Sequence, residues 1–252
     1  MPEEIHTPEP AQELSIADKF VGILTSPGEV FQTIVSTEPK ASNWSIPFIF
    51  AVIMSVVFTF VVFTQPAIQD DMVEMQRKQM EKQVAEGKMT QEQADQAMEF
   101  SKPGSPMFLM FGAIGVVLVM AFALFVYPLV YWLIGKVAFK SAVSYGKVLE
   151  AYGLSWYITP VTTLVTMVIV IAMGSLYAQP AASLFVSNFD PTDKVHKMLA
   201  ALNIFEFWMM YVAAVGLSKI WNVTLGKAIG VVGGVFVVWT LLKVFVGVGF
   251  GM

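Results

Sequence analysis

Five long apolar segments leave this chain few folds to choose from. A helix needs about 20 apolar residues to cross a hydrocarbon core of ~30 Å. Segments 44–64, 108–134 and 154–177 reach that length without one charged side chain. Segment 204–220 carries only Glu206 and Lys219, near its two ends, and segment 228–246 only Lys243, close to its end. Inside a bilayer each backbone N–H and C=O must be paired within the protein, and a helix does this within one segment. The expected fold is all-α: a polytopic membrane bundle of five transmembrane helices. Composition agrees. Hydrophobic residues make up 56% of the 252, and charged residues 13%. A soluble domain covers its surface with a charged share of about 25%.

An odd number of spans puts the termini on opposite sides of the membrane. Lys and Arg in short loops set the direction. The loop after 108–134 holds Lys136, Lys140 and Lys147, and the loop after 204–220 holds Lys219 and Lys227. In the loop after 154–177, Asp190 and Asp193 balance Lys194 and Lys197. The long 65–107 loop carries more acids than bases. The first two loops are therefore the inside ones, with the N-terminus cytoplasmic and the C-terminus outside.

The segments between the spans have patterns of their own. Residues 1–13 are rich in Pro and Glu and read as a disordered tail. They lack the basic start and apolar stretch of a signal peptide. Residues 14–43 form an amphipathic segment on the cytoplasmic side. Leu14, Ala17, Val21 and Leu24 recur at helical spacing, and Ser15 with Asp18 can form a capping box. Ser26 then reads as an N-cap, Pro27 as the first helical residue and Glu29 as the reciprocal cap, with Phe31 on the apolar face that follows. Such helices either lie in the membrane interface or pack on the cytoplasmic end of the bundle. Residues 65–107 read as an outside helical hairpin. One helix covers 68–86 and stops at Gly87, and Thr90 caps a second with Gln93. Met72, Met75, Met80, Met89 and Met98 form either a binding stripe or, the preferred reading, the seam between the two helices.

Few residues could carry chemistry. The chain has no cysteine and only two histidines, His6 and His196, so a metal site has no evident scaffold. No phosphate loop, nucleophile elbow or HExxH motif occurs. No catalytic residue and no cofactor are expected, and without a basic stripe neither is nucleic acid. Glu206 is the candidate intramembrane functional residue, because an ionisable group in a span is costly. It either faces the bundle interior as a proton or cation site or sits at headgroup level. Gly226, Gly230 and Gly234 stack on one face of the last span, which suits close helix packing. The preferred partner is span 204–220 of the same chain, and the other is a second copy. Pro128 and Pro160 can bend their spans.

These landmarks, taken in order, resemble a known family. Ser26-Pro27-Gly28-Glu29-Val30-Phe31 resembles a box that precedes the first span in bacterial members of the Ypt-interacting-protein (YIP) domain family. The run from Ser144-Tyr145-Gly146-Lys147 to Thr159-Pro160 resembles the family's lead into its third span. Phe205 and Trp208, then Gly216-Leu217-Ser218, then Gly226-Lys227-Ala228, resemble its pattern across the last two spans. The resemblance implies five spans and a bacterial-type member in the inner (cytoplasmic) membrane. It brings no catalytic residues. Eukaryotic relatives are linked to Rab-type GTPases and vesicle traffic. The functional expectation is a non-enzymatic scaffold or membrane-organising protein that binds a membrane or peripheral protein. The alternative is a transporter of an ion, small molecule or lipid that uses Glu206 and the kinkable spans.

Overall fold

The computed structural model describes residues 14–246, so the tail expected over 1–13 lies outside the described residues. The chain is a helical bundle. Two short helices, α1 (Ile16–Thr25) and α2 (Pro27–Ile34), precede the first long one, α3 (Ser42–Val62). The hairpin α4 (Pro66–Ala85) and α5 (Gln91–Phe100) follows, then α6 (Pro106–Ala138). The third rod is split into α7 (Tyr145–Ser155) and α8 (Ile158–Met173). A 3-10 turn (Ala182–Phe185) and α9 (Lys194–Ala201) lead to α10 (Ile204–Trp221). The last helix, α11 (Leu225–Leu241), passes into a π-helical turn at Leu242–Val246. Five rods are long and apolar enough to cross a membrane: Ser42–Val62, Pro106–Ala138, Tyr145–Met173, Ile204–Trp221 and Leu225–Phe245. They alternate in direction. One end of the bundle carries α1 and α2, the other the hairpin.

The third rod begins at Tyr145, well ahead of the uncharged stretch 154–177. Lys147, expected in a loop, lies with Glu150 within α7, where every residue from Lys147 to Ser155 is buried. The Ser144 hydroxyl caps α7 by accepting from the Lys147 N–H at 3.3 Å. The break between α7 and α8 follows from Pro160, which has no N–H to offer the Trp156 carbonyl four residues back. Pro128, by contrast, sits inside an unbroken α6.

The hairpin forms as its caps dictate. The Thr90 hydroxyl accepts from the Gln93 N–H, and the Gln93 side chain accepts from the Thr90 N–H. Gly87 takes the left-handed conformation (φ +68°) that a helix stop favours. Met72, Met75, Met80, Met89 and Met98 are half-buried, and Ala94 on α5 is buried. The base of α4 is fixed to the bundle by Ile68, packed with Val62 and Val170. Tyr177 adds a hydroxyl donated to Met75 Sδ at 2.7 Å.

Small residues set the helix crossings around α7, α10 and the N-terminal helices. A Cβ on Gly153 would fall 2.6 Å from the Trp44 Cα, so α7 and α3 touch backbone to backbone. A Cβ on Gly216 would meet the Phe31 ring at 2.7–3.0 Å. Phe31 is fully buried there, with Val30 and Ile34 beside it. The amphipathic segment therefore packs on the end of the bundle, because its aromatic side chain has a socket on α10. Removing a buried Phe side chain costs about 3–5 kcal/mol. Phe31→Ala should lower the melting temperature of the detergent-purified protein by several degrees. Gly216→Leu should do the same, and the two losses should be far from additive. Additive losses would mean that the ring and the glycine do not share one contact.

Candidate functional site

Four polar side chains converge beneath α1 and α2. Glu150, on α7, is completely buried. Its Oε1 accepts from Asn43 Nδ2 at 2.7 Å and from the Lys40 backbone N–H at 3.0 Å. Its Oε2 accepts from Lys147 Nζ at 2.5 Å, one turn away on the same helix. Lys147 Nζ also donates to the Ile34 carbonyl at the end of α2, at 2.8 Å. Lys19, from α1, donates to Asn43 Oδ1 at 2.9 Å. Asn43, Lys19 and Lys147 are 3%, 7% and 7% exposed.

Each participant is placed by its own element. Lys147 and Glu150 are three apart on α7, which stacks them on one helix face. Asn43 lies in the first turn of α3. Lys19 lies on the buried face of α1 with Ile23. The carboxylate collects donors from α7, from α3 and from the strap at Lys40. Lys147 returns to α2, and Asn43 passes the connection to α1. The buried cluster therefore ties four helices and a strap into a single unit. Taking these charges out of water costs several kcal/mol per ion, and only well-formed bonds offset it.

Glu206 lies elsewhere. It sits in the exposed first turn of α10. A carboxylate is favoured there by the helix dipole. The bundle interior beside it is occupied by rings instead. Tyr127 and Tyr131 pack on Tyr152 at 6.1 and 5.8 Å, Tyr152 on Trp156 at 6.3 Å, and Trp156 on Phe48 at 5.7 Å.

Two sequence expectations are corrected. Gly226, Gly230 and Gly234 do not seat α10. All three are exposed, and a Cβ on any of them would meet nothing within 4 Å. α11 meets the core through Ala228 and Val232 instead. Ser26 and Glu29 do not form a capping box either: Ser26 is the N-cap of α2 but makes no side-chain cap bond. Ser26 also ends α1, donating its N–H to the Gly22 carbonyl at 2.7 Å. Its ψ is 59°, far from extended cap geometry. Pro27 takes the first-turn position, and Phe31 fills its socket as described.

Sequence alone does not single out the ionic cluster. Its signal is the Lys147/Glu150 pair at helical spacing within a run of apolar and small residues. Nothing local in the sequence marks Lys19 or Asn43 as its partners. Among the described residues, no group of three His, Asp or Glu side chains converges on a metal position.

Removing one member of a buried ion pair costs about 3–5 kcal/mol, while replacing both with apolar residues is often neutral. Glu150→Ala should therefore lower the melting temperature sharply and open residues 14–36 to protease. The double variant Lys147→Met/Glu150→Leu should recover the share of the loss that comes from a stranded Lys147 ammonium, but not the share from Asn43 and the Lys40 N–H, which still lack their acceptor. A double variant as unstable as Glu150→Ala would contradict the pairing.

The whole-chain comparison matches this architecture. A family model described as the Yip1 domain matches residues 21–247, from α1 to the end of the last rod. No curated protein matches the chain, and no solved structure does. With a match over nearly its whole length, the chain is an integral membrane protein that belongs to the Yip1 domain family.

Proposed function

We propose that the chain is a non-enzymatic membrane scaffold, of the trafficking-related kind that Yip1 membership suggests, with α1 and α2 as its docking platform for a protein partner. One observation carries this reading. The platform is not a loose tail but is pinned to the spans by Glu150 and by the Phe31 socket. A preorganised surface binds without first losing conformational entropy. It also couples whatever docks there to the membrane-embedded helices. The transporter alternative needs polar groups along an interior path. Its motivating residue, Glu206, is exposed, and the column beside it is aromatic.

In this reading the platform faces the cytoplasm. Lys136, Lys140, Lys219 and Lys227 all belong to the end that carries α1 and α2, and basic short loops stay inside. The lack of native cysteine makes the test clean. In intact cells, Asp95→Cys in the hairpin should react with a membrane-impermeant thiol reagent, and Glu38→Cys beside the platform should not. The reverse labelling would invert the orientation.

The scaffold reading is tested by in-membrane photocrosslinking from Thr33, on the exposed face of α2, in the full chain. A stoichiometric protein adduct should form, disappear in Glu150→Ala, and survive in Glu206→Gln. An adduct unaffected by Glu150→Ala would contradict the platform. A solute flux in proteoliposomes that falls with Glu206→Gln would overturn the scaffold in favour of transport.

A further inference from the structure

A cleft of about 710 Å³ separates the α1–α2 turn from the last turns of α10. One wall is a single face of α10, with Tyr211, Val215 and Lys219 at four-residue steps. At 1.5 Å per residue that wall spans about 12 Å, most of the ~15 Å hydrocarbon depth of one leaflet. It grades from an exposed phenol ring at hydrocarbon depth to an ammonium at the helix end. The facing wall carries Ser26, whose hydroxyl is not spent on capping, and Gln32. At the mouth, a lobe of about 440 Å³ is lined by both Lys219 and Glu29. The two are exposed, and among the described residues no ion pair joins them.

We propose that this cleft holds one phospholipid of the surrounding leaflet, and that its mouth is built for a phosphoethanolamine headgroup. Lys219 takes the phosphate, which a lysine meets as a point charge. Glu29 accepts from the primary amine. Ser26 and Gln32 serve the ester oxygens, and an acyl chain follows Val215 and Tyr211. An ammonium and a carboxylate held in one mouth without pairing complement a zwitterion. A phosphatidylglycerol headgroup offers Glu29 no cation. The quaternary amine of phosphatidylcholine has no N–H to donate. This site is separate from the buried clamp and does not depend on the scaffold reading.

The test is native mass spectrometry of the detergent-purified full chain, titrated with phosphatidylethanolamine, phosphatidylglycerol and phosphatidylcholine of matched acyl chains. The wild type should retain phosphatidylethanolamine over both others. Lys219→Gln should weaken all three, by about fivefold for one lost cation near a surface phosphate. Glu29→Gln should erase the preference over phosphatidylcholine while leaving phosphatidylcholine binding intact. Gly28→Leu, at a position where an added Cβ meets nothing within 4 Å, should plug the cleft without touching either charge. It should reduce retention of every lipid, which keeps the test open should Lys219→Gln fail to fold. No headgroup preference in the wild type would overturn the proposal. So would displacement of the lipid by inorganic phosphate alone, which would make this a phosphate site. Unchanged retention in Gly28→Leu would place the lipid elsewhere on the bundle.

Discussion

A carboxylate buried at one end of a membrane bundle organises everything around it. Glu150 has no access to water, so its charge is stable only while its donors stay in place. Those donors come from Lys147 on its own helix, from Asn43 on α3 and from the strap at Lys40. Two further bonds, from Lys147 to the end of α2 and from Lys19 to Asn43, extend the cluster into the N-terminal helices. Helices of ten and eight residues are too short to persist alone in water. Here they hold their shape because the cluster bonds each of them to the spans and Gly216 receives Phe31 from α2.

The packing has the same logic. Where α7 meets α3, and where α10 meets α2, the close approach depends on a glycine facing a large aromatic residue. Backbones that touch leave little room for rearrangement, so the end of the bundle bearing α1 and α2 is the rigid one. The glycines of α11 do not share in this and look outward. The buried residues through which α11 meets the core are Ala228 and Val232.

Hydropathy alone reveals the five rods, because a membrane span requires length without charge and few other folds tolerate that. The hairpin is legible too, since Thr90, Gln93 and Gly87 are local instructions whose geometry involves no distant residue. What escapes is non-local. Lys147 and Glu150 look like loop charges when counted singly, and only as a mutually neutralising pair do they allow α7 to begin at Tyr145. Asn43 and Lys19 lie far from Glu150 in sequence, and no periodicity links them to it. The Ser26–Glu29 box misleads for a related reason: one residue closes α1 and opens α2 at once, and its backbone is not in the extended form that a side-chain cap uses. Glycine spacing on α11 indicates a smooth face but carries no information on what, if anything, covers it.

The central claim is that the N-terminal helices form one cooperative unit with the spans. Hydrogen–deuterium exchange of the full chain in lipid nanodiscs tests it most directly. If Glu150 pins α1 and α2 to the bundle, amides 18–34 should exchange nearly as slowly as those of α10, since neither helix holds its hydrogen bonds unaided. Exchange of 18–34 at the rate of an unstructured peptide, with α10 still protected, would contradict the account.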